Sequence, residues 1–497
     1  MKKILITIII ALLICFSLYS LEEDIVLGLN DHWSMLESSR NIEFLIGADG
    51  FQDAILKENE HSPDSNTDML INFNSAGVRD EMGNYALSRD SIFVSDSFKK
   101  TGQGSGVFRG EKPGLTLEPG PDSMFMSGNV WNDFTIEFWM YSAGMKNGES
   151  VFLFKGSRIR DKQIIPQRIE CKVEENRLVW IFENVFLPED QGYFTITVKG
   201  GSMQAPRSWR NHQLRFDSET GLIEYVLDGK PEGISYANRD GRESGQVYLP
   251  YIGKAEKGSL FLGIELTAVL DEFRISSVLR DYPELSEYGS RPGEIISRYI
   301  DLSYSNSKIV DISADYETPG NSAIIFYYRT GNNYADTFVG DAEWIQFDPE
   351  SVFFKPPQAR YLQLKSVLFP DGTGTVSPRL TSLKIKYIPD LPPLPPEMVF
   401  AEPGNGKITL NWTPVAEEDV GGYLVYFGDR PGRYLGKTAA NKISPINAGA
   451  ETSITLDNLV NGQLYYFSIC AYDKASSPHI GGFSYEVNAR PSGLTGE

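Results

Sequence analysis

Cysteine and histidine are scarce in this 497-residue chain, which has three of the first and four of the second. Cys15 falls in the N-terminal apolar run, leaving Cys171 and Cys470 far apart in separate predicted domains. A disulfide framework of the kind that staples small secreted modules is thereby excluded, and stability has to come from sizeable apolar cores. His32, His61, His212 and His479 are scattered, with no Cys, Asp or Glu at zinc-ligand spacing, so the sequence argues against a zinc site. Positive charge is short too: 46 Lys and Arg face 66 Asp and Glu, a formal net charge of −20. Nucleic acid is therefore not an expected partner, because its binding relies on Lys and Arg displacing counterions from phosphates. Anionic membrane surfaces are disfavoured for the same reason.

Catalytic signatures are missing as well. No nucleophile elbow and no phosphate-cradling glycine loop is found. No Glu-x-Asp-x-x-Glu run offers the closely spaced carboxylates of retaining glycan hydrolysis. Glu174-Glu175 and Asp271-Glu272 are adjacent pairs, and in a regular strand their side chains point to opposite faces. The expectation is a chain that is not an enzyme and has no catalytic residues to name.

Long hydrophobic runs are absent except at the start. Met1-Lys2-Lys3 is followed by an apolar run from Ile4 to Phe16, with Ser17 and Ser20 as small residues at which a peptidase could cut. Cleavage after Ser20 gives a signal peptide over residues 1–20. The run falls short of the roughly 20 residues that span a bilayer, and Glu22-Glu23-Asp24 follows it, so no integral span is expected after cleavage. Leu12-Leu13-Ile14-Cys15 departs from a lipoprotein box because Ile14 stands where a small residue is needed. The chain reads as exported to a periplasmic, cell-surface or extracellular location.

What is abundant is aromatic residues, 25 Tyr and 28 Phe among them, and short period-2 segments separated by Gly, Pro, Asn and Asp. In Asp133 to Met140, residues Phe134, Ile136, Phe138 and Met140 share one face, and Thr135, Glu137 and Trp139 the other. Leu214-Arg215-Phe216-Asp217 runs through Glu219-Thr220-Gly221 into Ile223 to Leu227, and Asp228-Gly229 makes a second tight turn. No long stretch has helical periodicity. The fold class is all-β, as tandem antiparallel β-sandwiches.

Pro392-Pro393-Leu394-Pro395-Pro396 marks the sharpest boundary, because repeated loss of backbone donors rules out a central strand and stiffens the chain. A softer one falls near Ser286 to Gly293. The resulting division is 1–20 leader, 21–67 lead-in, 68–285 first sandwich, 290–390 second sandwich, 391–396 linker and 397–492 third sandwich. Two readings of 21–67 stand. Its strand-like Ile42 to Ile46 packs against the first sandwich, or the segment is a disordered tether, since it is too short to own a core.

Met69 to Phe73, Asp133 to Met140, Trp209 with Leu214 to Asp217, Leu227-Asp228-Gly229-Lys230 and closing Leu270 to Ile275 together resemble the laminin-G-like, concanavalin-A-like jelly-roll family. The resemblance implies two antiparallel sheets face to face, in a fold shared by lectins, adhesion modules, glycan hydrolases and spacers. It also implies that Asp271 matches the acidic position beside which some members hold a structural calcium ion, a hard cation suited to oxygen ligands. The alternative is that Asp271 and Glu272 end a loop with Arg274 as charge partner.

Residues 290–390 alternate in Leu362 to Ser366 and in Leu383 to Tyr387, and Ala359 to Leu364 with Ser377 to Leu383 resembles the discoidin or galactose-binding-like sandwiches. Asp371-Gly372-Thr373-Gly374 reads as a surface turn. Beyond the linker, Ile408, Leu410 and Trp412 alternate, and Leu459 to Tyr465 resembles the tyrosine corner of fibronectin type III domains. The resemblance makes Tyr465 structural, with its hydroxyl on nearby backbone, and turns Cys470 outward.

These readings point to a glycan- or protein-binding adhesion protein acting through its jelly roll. The alternatives are a structural component of an envelope assembly and, more weakly, a glycan hydrolase. Trp131, Trp139, Trp180, Trp209 and Trp344 are the tryptophans that could stack on sugar rings, and the sequence does not separate exposed from buried ones.

Overall fold

Alternation turns into layers in the strand Phe134–Ser142, where Phe134, Ile136, Phe138 and Met140 enter one apolar core. A computed structural model describes residues 22–493 except 48, 76, 187–192, 244, 335–342, 352, 354 and 438–442; the leader expected over 1–20 lies outside the described residues. Among the described residues no helix is long and apolar enough to cross a membrane. The protein is built from antiparallel sheets enclosing three separate cores.

The largest core lies between an eight-stranded and a seven-stranded sheet. In the first, Trp209–Phe216 and Thr267–Ser276 flank Phe134–Ser142. In the second, Gln163–Glu174 and Glu256–Ile264 flank Ser150–Arg160. Phe152, Phe154, Trp180, Phe182 and Phe273 fill the space between them, and Cys171 is a free thiol in the same core. The turn at Asp228 (φ 47°) and Gly229 (φ 69°) has both central residues left-handed, the twist that a two-residue hairpin needs.

The segment expected to lead into this jelly roll belongs elsewhere. Glu23–Gly28 and Gln52–Leu56 both pair with Arg379–Ile388, and Leu36–Arg40 pairs with Gly293–Ser297. Leu27, Trp33, Ala54 and Leu56 share a core with Ile295, Leu364, Leu383 and Ile385. For residues 22–56, packing against the first sandwich is therefore corrected, and so is the disordered tether; residues 59–67 do lie against the first sandwich. The physical reason is an open edge. Arg379–Ile388 pairs with Lys308–Glu317 on one side, and without the N-terminal strands its other row of backbone groups would be unpaired.

The second sandwich is thus discontinuous, and the jelly roll is inserted into it between Leu56 and Gly293. The two crossing segments run together: the Asn59 N–H donates to the Glu287 carbonyl at 2.6 Å, and Asn41 Nδ2 donates to the Arg291 carbonyl at 2.8 Å. Asp371 closes the turn expected there, its carboxylate accepting N–H groups from Thr373, Thr375 and Val376.

The C-terminal sandwich pairs a three-stranded with a four-stranded sheet around Ile408, Leu410, Trp412, Tyr465, Phe467 and Ile469. The Tyr465 hydroxyl accepts the Val460 N–H at 3.1 Å, which is the tyrosine-corner bond. Cys470 lies outside that core cluster but is only 2% exposed, so its expected outward position is corrected to a covered one. Tyr426 and Tyr434 flank its thiol, which burial pushes up to about 11.

Candidate ligand-binding site

The outward face of the eight-stranded sheet carries a set of buried polar groups, among them Glu137, Asn211, Gln213, Asp271 and Glu272. Strand register puts Arg274, Glu137 and Gln213 in one row, Asp271, Trp139 and Asn211 in the next, and Val269, Tyr141 and Trp209 in a third. The crossing segment 59–62 and residues 280–284 wall the first two rows, leaving a cleft of about 380 Å³ lined by Glu60, His61, Glu137, Trp139, Asn211 and Tyr282 among others. Its size falls within the range of small-ligand sites.

Glu137, 1% exposed, is held by Arg274, whose Nε lies 2.7 Å and Nη2 2.6 Å from Oε1. Gln213 Nε2 donates to Oε2 at 3.3 Å. Burial pushes the Glu137 carboxyl up, but His61 and Arg274 outweigh it and hold the group below its ordinary value. His61 is itself driven down to about 4, first by burial, so at neutral pH the guanidinium is the positive partner. Beside this pair both amide atoms of Asn211 are buried without a hydrogen-bond partner. An unpaired donor and acceptor side by side carry an uncompensated desolvation cost that a ligand with hydroxyl groups can relieve.

Asp271 and Glu272 reach the same outer side, which corrects the expectation that adjacent carboxylates diverge. The register slips between Glu137 and Trp139, and Glu272 takes φ 52°, so this β-bulge places an extra residue between inward Leu270 and Phe273. Asp271 Oδ2 accepts the N–H groups of Lys100 and Thr101, and Oδ1 accepts that of Glu272. Glu272 Oε2 accepts the His61 N–H, while Oε1 is buried without a partner. Burial pushes Asp271 up to about 7 against the pull of its three N–H bonds, and burial, then Asp271, pushes Glu272 up to about 9. Both oxygens of Asp271 thus face backbone donors, an arrangement that fits anchoring the 98–101 loop better than ligating calcium.

These acids set a pH dependence. Glu272 retains its proton in the folded state up to about pH 9, whereas at the ordinary value of 4.5 the unfolded chain has already released half of it. The stability that goes with the proton is complete below pH 4.5 and is lost as pH rises through 9; Asp271 adds in the same direction up to about 7. The jelly-roll melting temperature is expected to fall by several degrees between about pH 5 and pH 9, and Glu272→Gln to remove most of that fall. Calorimetry of both proteins across the range checks this; parallel curves would contradict it.

The third row continues into an aromatic shelf. Phe98, 40% exposed, stacks on half-buried Trp209 with centroids 5.7 Å apart and meets Tyr141 edge-on at 4.7 Å. Of the other tryptophans singled out by sequence, Trp131 and Trp180 are core, and Trp139 lies under the Lys100 ammonium at 4.7 Å. Trp344 is half-buried on the second sandwich between Lys365 and Arg329.

His61 and Asn211 were not recognisable in the sequence as site residues, because nothing local marks them. The same is true of Asp390, Asp473 and His479, the one group of three His or carboxylate ligands among the described residues whose atoms lie within 4.8 Å of one another. Asp271 is not part of it.

Comparison with known proteins adds the following. A "Kelch domain-containing protein" of Saccharolobus solfataricus is 29% identical over 161 residues, covering 32% of this chain and 19% of that protein, so the chain spans less than a fifth of its relative's length. Among solved structures, the binding domain of botulinum neurotoxin serotype G has a TM-score of 0.32 at 10% identity, covering 83% of this chain and 86% of that one. Domain 4 of AbnA, a GH43 extracellular arabinanase from Geobacillus stearothermophilus in complex with arabinotriose, has 0.27 at 13% identity, covering 44% and 96%. The Emp47p carbohydrate recognition domain has 0.25 at 12%, covering 44% and 100%. The fibronectin type III family matches residues 392–481, and with Trp412 in the core and the Tyr465 corner closed, this segment of the chain is a fibronectin type III domain.

Proposed function

We propose that this is an exported, non-enzymatic binding protein that recognises a glycan through the outer face of its jelly roll, with the fibronectin type III domain as a spacer or docking module. The observation that carries the proposal is the Phe98–Tyr141–Trp209 shelf standing one row along the sheet from the row of Trp139 and Asn211, which line the polar cleft. A saccharide has an apolar C–H face that packs on aromatic rings and a rim of hydroxyls that need donors and acceptors, and this surface offers both side by side. The apolar run from Ile4 to Phe16 behind Lys2 and Lys3, read as a leader, supports export.

The chemistry of the cleft favours holding over cleaving. Glycoside hydrolysis needs a carboxyl kept protonated beside the scissile bond. Glu137, the carboxylate at the floor, is held ionised by Arg274, and Asp271 faces loop N–H groups. Glu272, which keeps its proton, is turned to the backbone of His61.

Glycan and host-matrix arrays probed with the intact chain test this. Saturable glycan binding is expected, and Trp209→Ala, at a half-buried position, is expected to weaken it roughly tenfold or more with little change in melting temperature. Binding unaffected by that substitution, or release of reducing sugar, would overturn the reading.

A further inference from the structure

The junction between the second sandwich and the fibronectin type III domain gathers side chains that neither domain holds alone. Asp390 comes from the end of the second sandwich, just before the proline-rich linker; Asp473 and His479 come from the fibronectin domain. His479 Nδ1 lies 2.6 Å from Asp473 Oδ2 and 3.7 Å from Asp390 Oδ2. The Asp473 side chain is 1% exposed, and its Oδ1 is fixed by the N–H groups of Ala475 and His479, each at 3.0 Å, which leaves Oδ2 for another partner. Among the described residues His479 is the one basic side chain within 4 Å of the Asp390 carboxylate, and Asp419 adds further negative charge nearby. The Lys474 ammonium is turned away to the Glu418 carbonyl.

The other side of the imidazole is held by the second sandwich. Ser305 Oγ is 2.9 Å from His479 Nε2, and the Tyr304 ring meets the imidazole at 80° with centroids 5.4 Å apart. The linker is packed in place as well. A Cβ at Gly481 would sit 2.0 Å from the Pro393 carbonyl oxygen, so only glycine allows this approach two residues beyond the histidine.

We propose that Asp390, Asp473 and His479 bind a divalent transition-metal ion of the zinc class, which clamps the fibronectin type III domain to the sandwich before it. One imidazole with two carboxylates is a nitrogen-and-oxygen set suited to zinc or cobalt, and a harder ion such as calcium would prefer oxygen alone. Tetrahedral ligands about 2.0–2.1 Å from zinc stand about 3.3 Å apart, so Asp473 Oδ2 and His479 Nδ1 need separate by less than about 1 Å. The proton balance is simple. Without metal, Nδ1–H donates to Asp473 and Nε2 accepts from the Ser305 hydroxyl. With metal, Nδ1 gives its lone pair to the ion and the ring changes tautomer: the Nδ1 proton passes to solvent, Nε2 takes one up from solvent so that no net proton is released, and Nε2–H donates to Ser305 Oγ. Serine serves in either role because its hydroxyl both donates and accepts. Such a partner on the far ring nitrogen is the usual support of a metal-bound histidine.

Cobalt titration of the intact protein tests the site, because tetrahedral cobalt absorbs visibly and reports its ligands. One equivalent per chain is expected to develop the band and to be displaced by zinc. Asp390→Asn and His479→Gln are expected to abolish it, and Ser305→Ala to weaken binding roughly tenfold while leaving all three ligands in place. Metal is also expected to slow proteolysis within residues 391–396 of the wild-type chain only. No saturable uptake by the wild-type chain, or uptake that survives both ligand substitutions, would overturn the proposal and leave an ordinary His–Asp hydrogen bond. Neither result bears on glycan binding at the jelly roll.

Discussion

A chain shortened to begin at residue 58 is expected to lose the folding transition of the sandwich built on residues 293–388 while keeping that of the jelly roll. The deletion removes four strands, Glu23–Gly28, Leu36–Arg40, Ile42–Ile46 and Gln52–Leu56, and with them Leu27, Trp33, Ala54 and Leu56 from the second core. Ile295, Leu364, Leu383 and Ile385 then lose their partners, and Arg379–Ile388 is left with an unpaired edge. Trp33→Ala is the graded form. Trp33 is 4% exposed and its indole N–H donates to the Gln52 carbonyl at 2.8 Å, so truncation opens a cavity and strands an acceptor, for a cost of about 3–5 kcal/mol. Calorimetry of the intact chain, the deletion and the point variant reads this directly. Were the segment merely a lead-in to the jelly roll, the 293–388 transition would persist in the shortened chain.

The insertion explains what could and could not be read from the sequence. Period-2 patterning is local, so strands such as Phe134–Ser142 and Tyr361–Phe369 were legible, and so was the tyrosine corner, whose bond spans five residues. Pairing is not local. Nothing within 21–67 states that Glu23 lies opposite Tyr387 rather than a strand of the jelly roll. The candidate site was hidden for the same reason twice over. Its walls come from crossing segments far apart in sequence, and the bulge at Glu272 breaks the alternation by which the faces of a strand are assigned. The one local sign was two consecutive acids, Asp271 and Glu272, inside an otherwise apolar alternation.

Arg274→Ala is expected to destabilise the jelly roll by about 3–5 kcal/mol at neutral pH, because it leaves the carboxylate of Glu137 buried without its cation. Gln213 and a neutral His61 remain nearby without supplying a charge, and Arg280, which acts on Glu137 from farther off, already has its guanidinium paired with Asp64. The pH course separates this cause from lost packing. In the wild-type protein Glu137 lies below its ordinary value of 4.5, so its contribution is present above that pH and is lost as pH falls through the depressed folded value. Without Arg274 the balance shifts toward burial, which pushes the carboxyl up. The variant's deficit is therefore expected to be largest at neutral and alkaline pH and to shrink in acid, where Glu137 accepts a proton. The double variant Glu137→Gln with Arg274→Met removes charge and partner together and is expected to recover most of the loss, since a neutral amide beside Gln213 needs no counter-ion. Thermal melts of the three proteins at about pH 4 and pH 7 decide it. A deficit of the same size at both pH values, with no recovery in the double variant, would mean that Arg274 acts by its bulk. In that case the cleft floor, Asn211 included, would owe its arrangement to packing rather than to the buried ion pair.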